Sequence, residues 1–295
     1  MAPSDPDRTA IVPLVESELP DAEALVRDAG WNQTVADWRA FLELGTVHAI
    51  RDDTGRVIAT AATLPYGGQF AWISMVLVAR EHQRRGLATR LLRRCIDDLQ
   101  AAHLVPVLDA TPAGREVYRS LGFVDTWGFQ RYAREARPIV QATAISGVTA
   151  SGLILRPITD AQWAGLCGYD ARIFGEDRSK VLVRLRGRVP QVDSYAERNG
   201  KIAGVMLGRN GRVATQIGPL VADDENIATA LVQRALAATE TPIFIDVPDT
   251  KNALIAQLAA QGFASQRPLT RMLLGRNSAY DDGLRTFAVV GPEFG

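Results

Sequence analysis

The hydrophobic pattern of the first half predicts two helices followed by a run of strands. A short strand near Ile11 to Val15 precedes helical patterns at about 20 to 30 and 34 to 44. Thr34 lies three residues before Asp37, which is the spacing of a helix N-cap. Apolar segments separated by turn residues follow in TVHAIRD, RVIATAATLPY and FAWISMVLVA. This order predicts an antiparallel meander of strands.

An amphipathic helix and a strand–helix–strand segment complete this half. From about Gly86 to Gln100 apolar side chains recur on one face, so we expect this helix to pack on the sheet. VPVLDA has the composition of a buried strand. Thr111 and Pro112 then provide an N-cap and a first-turn proline for a helix that ends at Gly122. A last strand is expected from about Phe123 to Tyr132.

The same order of elements occurs a second time. GRVIATAATLPYGGQFAWISMVLVA corresponds to GKIAGVMLGRNGRVATQIGPLVA, PVLDATP to IFIDVPD, and YRSLGF to LAAQGF. Residues 139–152 are rich in Ala, Ser, Thr and Gly and are typical of a linker. The sequence therefore predicts a repeated domain, in residues 1–138 and in residues 153–295.

Composition excludes several classes of protein. The 295 residues are 47% hydrophobic, and 33 basic residues balance 33 acidic ones, so no global field favours nucleic acid or an acidic membrane surface. Cys95, Cys167 and three scattered histidines have no metal-ligand spacing, which argues against a zinc site or a disulfide. No signal peptide and no apolar run of ~20 residues are recognisable. We expect a soluble cytoplasmic protein with no metal.

The segment QRRGLA lies where a strand meets a helix. A helix start directs free backbone N–H groups and the positive end of the helix dipole to one point. Arg84 and Arg85 add positive charge, and Gly86 allows a ligand to approach the backbone. Neither the three-glycine dinucleotide fingerprint nor the GxxxxGK[ST] loop is present. The junction therefore predicts an anion site that suits a pyrophosphate.

These residues resemble motif A of the GNAT superfamily of acyl-CoA-dependent N-acyltransferases, [QR]-x-x-G-x-[GA], here Gln83 to Ala88. The segment ATPAGREVYRSLGF is similar to the second CoA-side motif of that family and includes its tyrosine, Tyr118. The order of elements also matches over residues 10 to 133. The resemblance implies an α/β fold of the α+β type, with two tandem GNAT domains. Each domain would have a mixed, mostly antiparallel central sheet flanked by helices.

The resemblance also implies roles for particular residues. Val76, Leu77 and Val78 would pair with the pantetheine arm of acetyl-CoA as an added strand does. Tyr118 would give a proton to the departing thiolate. Thr111 stands where the family often has Asn, which leaves a side-chain contact with pantetheine there open. The backbone amides that would hold the pyrophosphate belong to Arg84, Arg85, Gly86, Leu87, Ala88 and Thr89.

The expected reaction is transfer of an acetyl group from acetyl-CoA to a primary amine of a small molecule or peptide. Direct attack in a ternary complex is favoured because no Cys or Ser with a paired base stands out. No acidic residue lies on the strand Ile73 to Val78, so water, a backbone carbonyl or the second domain would take the proton of the amine. A non-catalytic acyl-CoA-binding sensor or scaffold is the alternative. Nucleic-acid and membrane partners are not expected, and the chain would be a monomer or a homodimer.

Candidate residues for the acceptor have two interpretations. Trp31, Trp38, Tyr66, Phe70 and Trp72 would line an acceptor pocket or pack in the core. For Tyr118 the alternative is likewise packing, with its hydroxyl in water. Asp109 is a candidate substrate contact or base at a strand end. Its counterpart Asp246 in the second half argues instead for a structural function that both halves share.

The second half differs at the anion junction. The segment DDENIATALV has Asn226 in place of Gly86, no arginine, and the acidic residues Asp223, Asp224 and Glu225, which would repel a pyrophosphate. Leu258 stands at the position of Tyr118. We therefore expect a degenerate second domain and one acetyl-CoA site per chain.

Overall fold

The structure, a computed structural model, describes residues 10–138 and 152–295. It divides into two compact units, which meet in the sequence between Leu108 and Asp109. The predicted linker 139–152 lies outside the described residues except for Gly152.

The first unit is a sheet with helices. Its strands follow the order β1-β2-β3-β4-β5, and neighbours are antiparallel except for the parallel pair β4 and β5. The predicted meander is thereby confirmed. The strands are β1 (Ile11–Pro13), β2 (Thr46–Arg51), β3 (Val57–Tyr66), β4 (Phe70–Val78) and β5 (Val105–Ala110), the last two residues of which belong to the second unit. The helices are α1 (Leu19–Asp28), α2 (Val35–Leu44) and α3 (Leu87–Ala101).

Local sequence signals account for these helices. The backbone N–H of Thr34 donates to the carboxylate of Asp37 at 2.7 Å, which confirms the predicted cap of α2. Helix α3 buries one apolar face, as its period predicts. That face consists of Leu87, Leu91, Leu92, Cys95, Ile96 and Leu99.

The second unit begins with the last elements of the first sequence repeat. These are α4 (Pro112–Ser120) and β6 (Phe123–Arg134). The remaining helices are α5 (Asp160–Phe174), α6 (Ser179–Leu185), α7 (Glu225–Ala237) and α8 (Asn252–Ala260). The remaining strands are β7 (Leu153–Pro157), β8 (Ser194–Arg198), β9 (Lys201–Arg209), β10 (Thr215–Ala222), β11 (Ile243–Pro248), β12 (Ala264–Leu274) and β13 (Thr286–Ala288).

Strand β6 lies between two strands of the second sequence repeat. The order in this unit is β12-β6-β11-β10-β9-β8-β7, and β13 pairs with β10. Pairing is antiparallel throughout except between β10 and β11. Since β6 pairs with β11 and β12, it belongs to the second compact unit, which begins at Asp109. The domain bounds 1–138 and 153–295 describe the sequence repeat and stay a prediction.

The mixed, mostly antiparallel sheet flanked by helices confirms the predicted fold class. The core of the second unit packs α7 and α8 on β9, β10 and β11, with Ile227, Leu231, Leu254 and Leu258 fully closed to solvent. Across residues 10–138 and 152–295, no helix has both the length and the apolar composition to cross a membrane.

Candidate active site

Strand β4 carries an irregularity at Met75. The register with β3 shifts between Thr60 and Ala62, so β4 holds one extra residue there. The buried Met75 has a φ of 52°, in the left-handed region. The hydroxyl of Thr60 donates to the carbonyl of Met75 at 2.9 Å. A side chain of the neighbouring strand therefore holds this strained backbone in place.

Beyond this bulge, one edge of β4 lacks a strand neighbour. Its pairing with β5 ends where Trp72 lies opposite Val107. Its pairing with β3 continues on the other edge as far as Val78. Within the described residues, no strand pairs with the β5 side of residues 73–78. An extended ligand can add to such an edge through backbone hydrogen bonds.

The loop after β4 directs its backbone toward the start of α3. Arg84 has a φ of 61° and Gly86 a φ of 76°, so two nearby residues adopt the left-handed conformation that forms anion-binding concavities. A Cβ placed on Gly86 would meet no atom within 4 Å. The first amides of α3 have no acceptor inside the helix, because none exists for the first turn of any helix. The loop thus leaves open space in front of free N–H groups.

Charge around this loop is positive. Arg84, Arg85 and Gly86 are exposed, and the first turn of α3 contains no acidic residue. The side chain of Gln83 donates to the carbonyl of Val78 at 3.2 Å, and that of Arg85 donates to the carbonyl of Glu81 at 3.1 Å. These contacts hold the loop against the end of β4 and leave its guanidinium groups at the surface.

Helix α4 presents Tyr118 in the second unit. The hydroxyl of Thr111 accepts the backbone N–H of Gly114 at 3.3 Å, which confirms the predicted cap. Tyr118 is half-buried against Phe123, with ring centroids 6.1 Å apart. Burial raises the pKa of its phenol above the usual value. Within the described residues the hydroxyl makes no hydrogen bond, so this phenol is available as a proton donor.

Asp109 is engaged by an arginine. Its carboxylate accepts two hydrogen bonds of 3.0 Å from Arg271, and both side chains are almost completely buried. Burial raises the pKa of Asp109 to about 6, although Arg271 opposes the rise. Its counterpart Asp246 accepts bonds of 2.8 and 2.7 Å from Arg131. The shared function is thus an ion pair with the strand that follows the Gly-Phe pair of the other sequence repeat. A substrate contact by Asp109 stays a prediction.

The aromatic candidates for the acceptor site are mostly closed to solvent. Tyr66, Phe70 and Trp72 pack together with centroids 5.9 to 6.2 Å apart, and each is at most 2% exposed. Trp38 is completely buried, whereas Trp31 is half-buried. The four buried rings, of Trp38, Tyr66, Phe70 and Trp72, pack in the core. Binding of the acceptor by Trp31, Tyr66 and Trp72 stays a prediction.

Three polar atoms in the first unit are buried without a hydrogen-bond partner among the described residues. They are Gln33 Oε1, Trp38 Nε1 and Ser74 Oγ. Gln33 lies between α1 and α2, and Ser74 precedes the bulge of β4. Buried polar atoms are usually paired, so a polar ligand or a water molecule would satisfy them.

The corresponding junction of the second half is occupied by acidic side chains. The carboxylate of Asp224 caps α7 by accepting the backbone N–H of Ile227 at 3.0 Å, and it also binds Arg198 at 2.7 Å. The carboxylate of Glu225 accepts the backbone N–H of Leu254, near the start of α8, at 2.8 Å. The chain itself therefore supplies the negative charge at both helix starts.

The edge of β10 that corresponds to the open edge of β4 is also filled. Pairing of β10 with β11 ends at Ile217 opposite Ile245. From there β13 pairs with β10 at Leu220 and Val221, and the backbone N–H of Val289 donates to the carbonyl of Asp246 on β11 at 3.1 Å. The last strand of the chain therefore lies between β10 and β11.

The cysteines do not have the character of nucleophiles. Burial raises the pKa of Cys95 to about 12 and that of Cys167 to about 11. Both thiols are protonated at neutral pH, which favours chemistry without a covalent acyl-enzyme.

Comparison with protein families gives a match in each half. Residues 13–123 match the model described as Acetyltransferase (GNAT) family, and residues 166–288 match the model described as Acetyltransferase (GNAT) domain. The uncharacterized N-acetyltransferase YitH of Bacillus subtilis (strain 168) is 22% identical over 255 residues, which cover 86% of this chain and 87% of that protein.

Solved structures share the fold along almost the whole chain. A proposed acetyltransferase from Pyrococcus horikoshii superposes with a TM-score of 0.77 at 20% identity, covering 97% of this chain and 96% of that one. A tandem GNAT protein from the clavulanic acid biosynthesis pathway gives a TM-score of 0.59 at 14% identity, covering 90% and 98%. At these identities the similarity concerns the fold, and it includes the tandem arrangement.

Two features of the site were not anticipated from the sequence. Arg271 gives no local signal, because its partner Asp109 is distant in the chain. Strand β13 is only three residues long, Thr286–Ala288, and follows an irregular segment. The apolar run TFAVV was the one available indication of a buried strand there.

Proposed function

Because this chain belongs to the GNAT acetyltransferase family through both of its halves, we propose that it transfers an acetyl group from acetyl-CoA to a primary amine of a small molecule or peptide. The donor binds in the first half. The observation that carries this proposal is the open edge of β4, which runs directly into the left-handed, basic loop at the start of α3.

The loop suits the pyrophosphate of the donor. The amides of Arg84 to Thr89 hold the phosphate oxygens, and the two exposed arginines lower the energy of the negative charge. The open space in front of Gly86 supports this assignment, since the phosphate must approach the backbone closely. The absence of an acidic residue from the first turn of α3 supports it as well.

The edge of β4 suits the pantetheine arm. Val76, Leu77 and Val78 belong to the part of β4 that, among the described residues, pairs with β3 alone, so the opposite edge is open to an extended ligand. Support comes from the second half, where Leu220 and Val221 pair with β13 and correspond in sequence to Leu77 and Val78. In the second half the strand β13 lies along this edge. In the first half we assign the corresponding edge of β4 to the pantetheine arm, which would bind as an added strand.

In the proposed acyl transfer Tyr118 has the role that the resemblance to the GNAT family implies. The neutral amine attacks the thioester carbonyl, so that a C–N bond forms and the C–S bond breaks. A backbone N–H at the end of β4 stabilises the charge on the carbonyl oxygen. The Tyr118 phenol, which burial keeps protonated, gives its proton to the thiolate. Water, a backbone carbonyl or a side chain of the second half accepts the proton that the amine loses.

The second half binds no donor in this proposal. Asp224 and Glu225 occupy the junction with negative charge, β13 fills the edge of β10, and Leu258 replaces the tyrosine. The acidic residues would repel the pyrophosphate, β13 would block the pantetheine arm, and Leu258 cannot give a proton to the departing thiolate. One acetyl-CoA per chain is the expected stoichiometry.

The proposal is tested by measuring free thiol released from acetyl-CoA in the presence of a panel of primary amines. Mass spectrometry of the amines identifies an acetylated product. Amine-dependent release above the hydrolysis rate supports the proposal. Binding of acetyl-CoA without release for any amine in the panel would instead favour the acyl-CoA-binding sensor.

A further inference from the structure

The end of β5 and the start of α4 are fixed by a residue from the far end of the chain. Asp109 lies two residues before Thr111, the cap of α4. Arg271 on β12 donates to both of its carboxylate oxygens at 3.0 Å, from Nε and from Nη2. The Asp109 side chain is 0% exposed and that of Arg271 is 2% exposed. A bidentate pair restricts orientation as well as distance.

Arg271 is itself held on several sides. Its guanidinium stacks over the ring of Trp127 at 4.4 Å and lies 3.5 Å from the carboxylate of Asp281. The indole N–H of Trp127 donates to that same carboxylate at 3.4 Å. The hydroxyl of Thr126 donates to the backbone carbonyl of Arg271 at 3.0 Å. The arginine therefore cannot follow Asp109 if the end of β5 shifts.

Helix α4 is itself attached to β6, the strand beside β12. Arg115 and Arg119 both bind the carboxylate of Asp125 on β6, and Arg115 holds its pKa at about 2. Strand β6 pairs with β12 as far as Phe123 opposite Leu274. The segment before α4 is thus held by β12, and the helix itself is held by β6, which pairs with β12. The direction of the Tyr118 side chain therefore depends on these two paired strands.

The second half contains an equivalent ion pair without an equivalent catalytic group. Arg131 and Arg271 each lie eight residues after the phenylalanine of a Gly-Phe pair. Arg131 binds Asp246 with side chains 3% and 0% exposed, which closely matches the burial of the other pair. The helix after Asp246 carries Leu258 in place of Tyr118.

We propose that Arg271 is a positioning residue for the acyl-transfer site: by clamping Asp109 at the end of β5 it fixes α4 and thereby the phenol of Tyr118. The proposal rests on the proposed function, in which Tyr118 protonates the departing thiolate. It gives the half without a donor site a specific task in the reaction, because β12 belongs to that half.

The experiment compares Arg271→Met with Arg131→Met in the full chain. Each substitution removes one buried guanidinium from a bidentate pair with a buried aspartate. We expect similar losses of thermal stability. At equal folded fractions, Arg271→Met lowers kcat by about tenfold or more and changes the KM for acetyl-CoA by less than about twofold, since misplaced groups cost rate rather than donor affinity. Arg131→Met leaves kcat within about twofold of wild type.

A second measurement needs no activity. The NMR signal of ring-labelled Tyr118, assigned by its loss in Tyr118→Phe, shifts or broadens in Arg271→Met and stays unchanged in Arg131→Met. Arg271→Lys, which keeps the charge without the bidentate geometry, recovers part of kcat. If Arg271→Met does not fold, Arg271→Lys and Arg131→Lys form the matched pair, with the same contrast expected.

Equal effects of the two substitutions on kcat, or an unchanged Tyr118 signal in the Arg271 variant, would overturn the positioning role. Failure of the proposed function looks different, because the wild-type protein would then release no thiol with any amine. The NMR comparison still decides in that case whether Arg271 fixes Tyr118.

Discussion

Phe129 and Leu269 lie directly opposite each other on β6 and β12, and they occupy the same position of the sequence repeat. Each is the sixth residue after the phenylalanine of a Gly-Phe pair. The neighbouring pairs are Gly128 with Thr270 and Gln130 with Pro268. In the sequence repeat Gly128 corresponds to Pro268 and Gln130 to Thr270, so each pair is the counterpart of the other. The ladder therefore has the self-complementary register that a two-fold interface between identical subunits has.

The two buried ion pairs follow the same symmetry. Asp109 of the first repeat binds Arg271 of the second, and Asp246 of the second binds Arg131 of the first. Each repeat thus depends on the other for the partner of a buried carboxylate. Removing one member of such a pair typically costs about 3–5 kcal/mol of stability, because a buried charge is left unpaired.

The donor loop predicts different outcomes for two similar glycines. Gly86 and Gly55 both have a left-handed φ, 76° and 87°, and a Cβ at either position would meet no atom within 4 Å. Asp at either position introduces the same strain and charge. Gly86→Asp should weaken acetyl-CoA binding by about 100-fold or more, because a carboxylate would stand beside the pyrophosphate. Gly55→Asp should leave the affinity unchanged. Similar calorimetric affinities for both folded variants would show that the loop does not hold the donor.

Tyr118→Phe tests the proton donor. The ring stays, so its packing on Phe123 and the affinity for acetyl-CoA should change little. The turnover number should fall by about 10²-fold or more, the usual contribution of a positioned acid. The loss should shrink for an acyl donor whose thiol leaves easily. Equal losses for good and poor leaving groups would assign Tyr118 to positioning, and no loss at all would leave it only a packing function.

Asp224→Ala tests whether the acidic junction of the second half is structural. The substitution removes the cap of α7 and the bond to Arg198, so stability should fall by about 1 kcal/mol in chemical denaturation. The affinity and stoichiometry of acetyl-CoA should stay as in the wild type. A new binding event in this variant would mean that the Asp224 carboxylate alone had kept a donor site closed.

The pH dependence of stability should reveal the buried Asp109. Its pKa of about 6 in the folded protein exceeds the ordinary value of 3.8 because burial, with Asp281 and Asp246 nearby, outweighs Arg271. The folded state then binds a proton more tightly than the unfolded state, so this group adds stability as pH falls from about 6 to about 4. Unfolding titrations between pH 8 and pH 4 should show this gain in the wild type and not in Asp109→Asn.

Asp125 should change stability with pH in the opposite direction to Asp109, because its pKa is lowered in the folded protein. Arg115 and Arg119 hold its pKa at about 2, so its contribution is present above about pH 4 and is lost as pH falls toward 2. Asp125→Asn should therefore remove stability at neutral pH and leave the rise between pH 6 and pH 4 intact. Parallel curves for the wild type and Asp109→Asn would contradict the assignment of that rise to Asp109.

Features that depend on nearby residues could be predicted from the sequence. The caps at Thr34 and Thr111, the buried face of α3 and the strand-to-helix loop at Gly86 are each determined within a few positions. The repeat was visible for the same reason, since corresponding segments keep their turn and core residues. The acidic residues at the junction of the second half are also local in the sequence, and Asp224 caps α7 there.

Features that depend on distant pairing could not be predicted. The placement of β6 between β11 and β12 is decided by which edges are available in the folded sheet, and antiparallel strands of similar composition fit several neighbours. The choice of Arg271 by Asp109 follows from that placement. The burial of Tyr66 and Trp72 could not be predicted either, because aromatic residues occur both in cores and in ligand pockets.

The proposed function requires one donor site per chain, located in the first half. Calorimetric titration of the full wild-type chain with acetyl-CoA tests it most directly, with the Gly86→Asp variant titrated in parallel. We expect one acetyl-CoA bound per wild-type chain, and an affinity lower by about 100-fold or more in the variant. Two molecules per wild-type chain, or one still bound with unchanged affinity by folded Gly86→Asp, would contradict it.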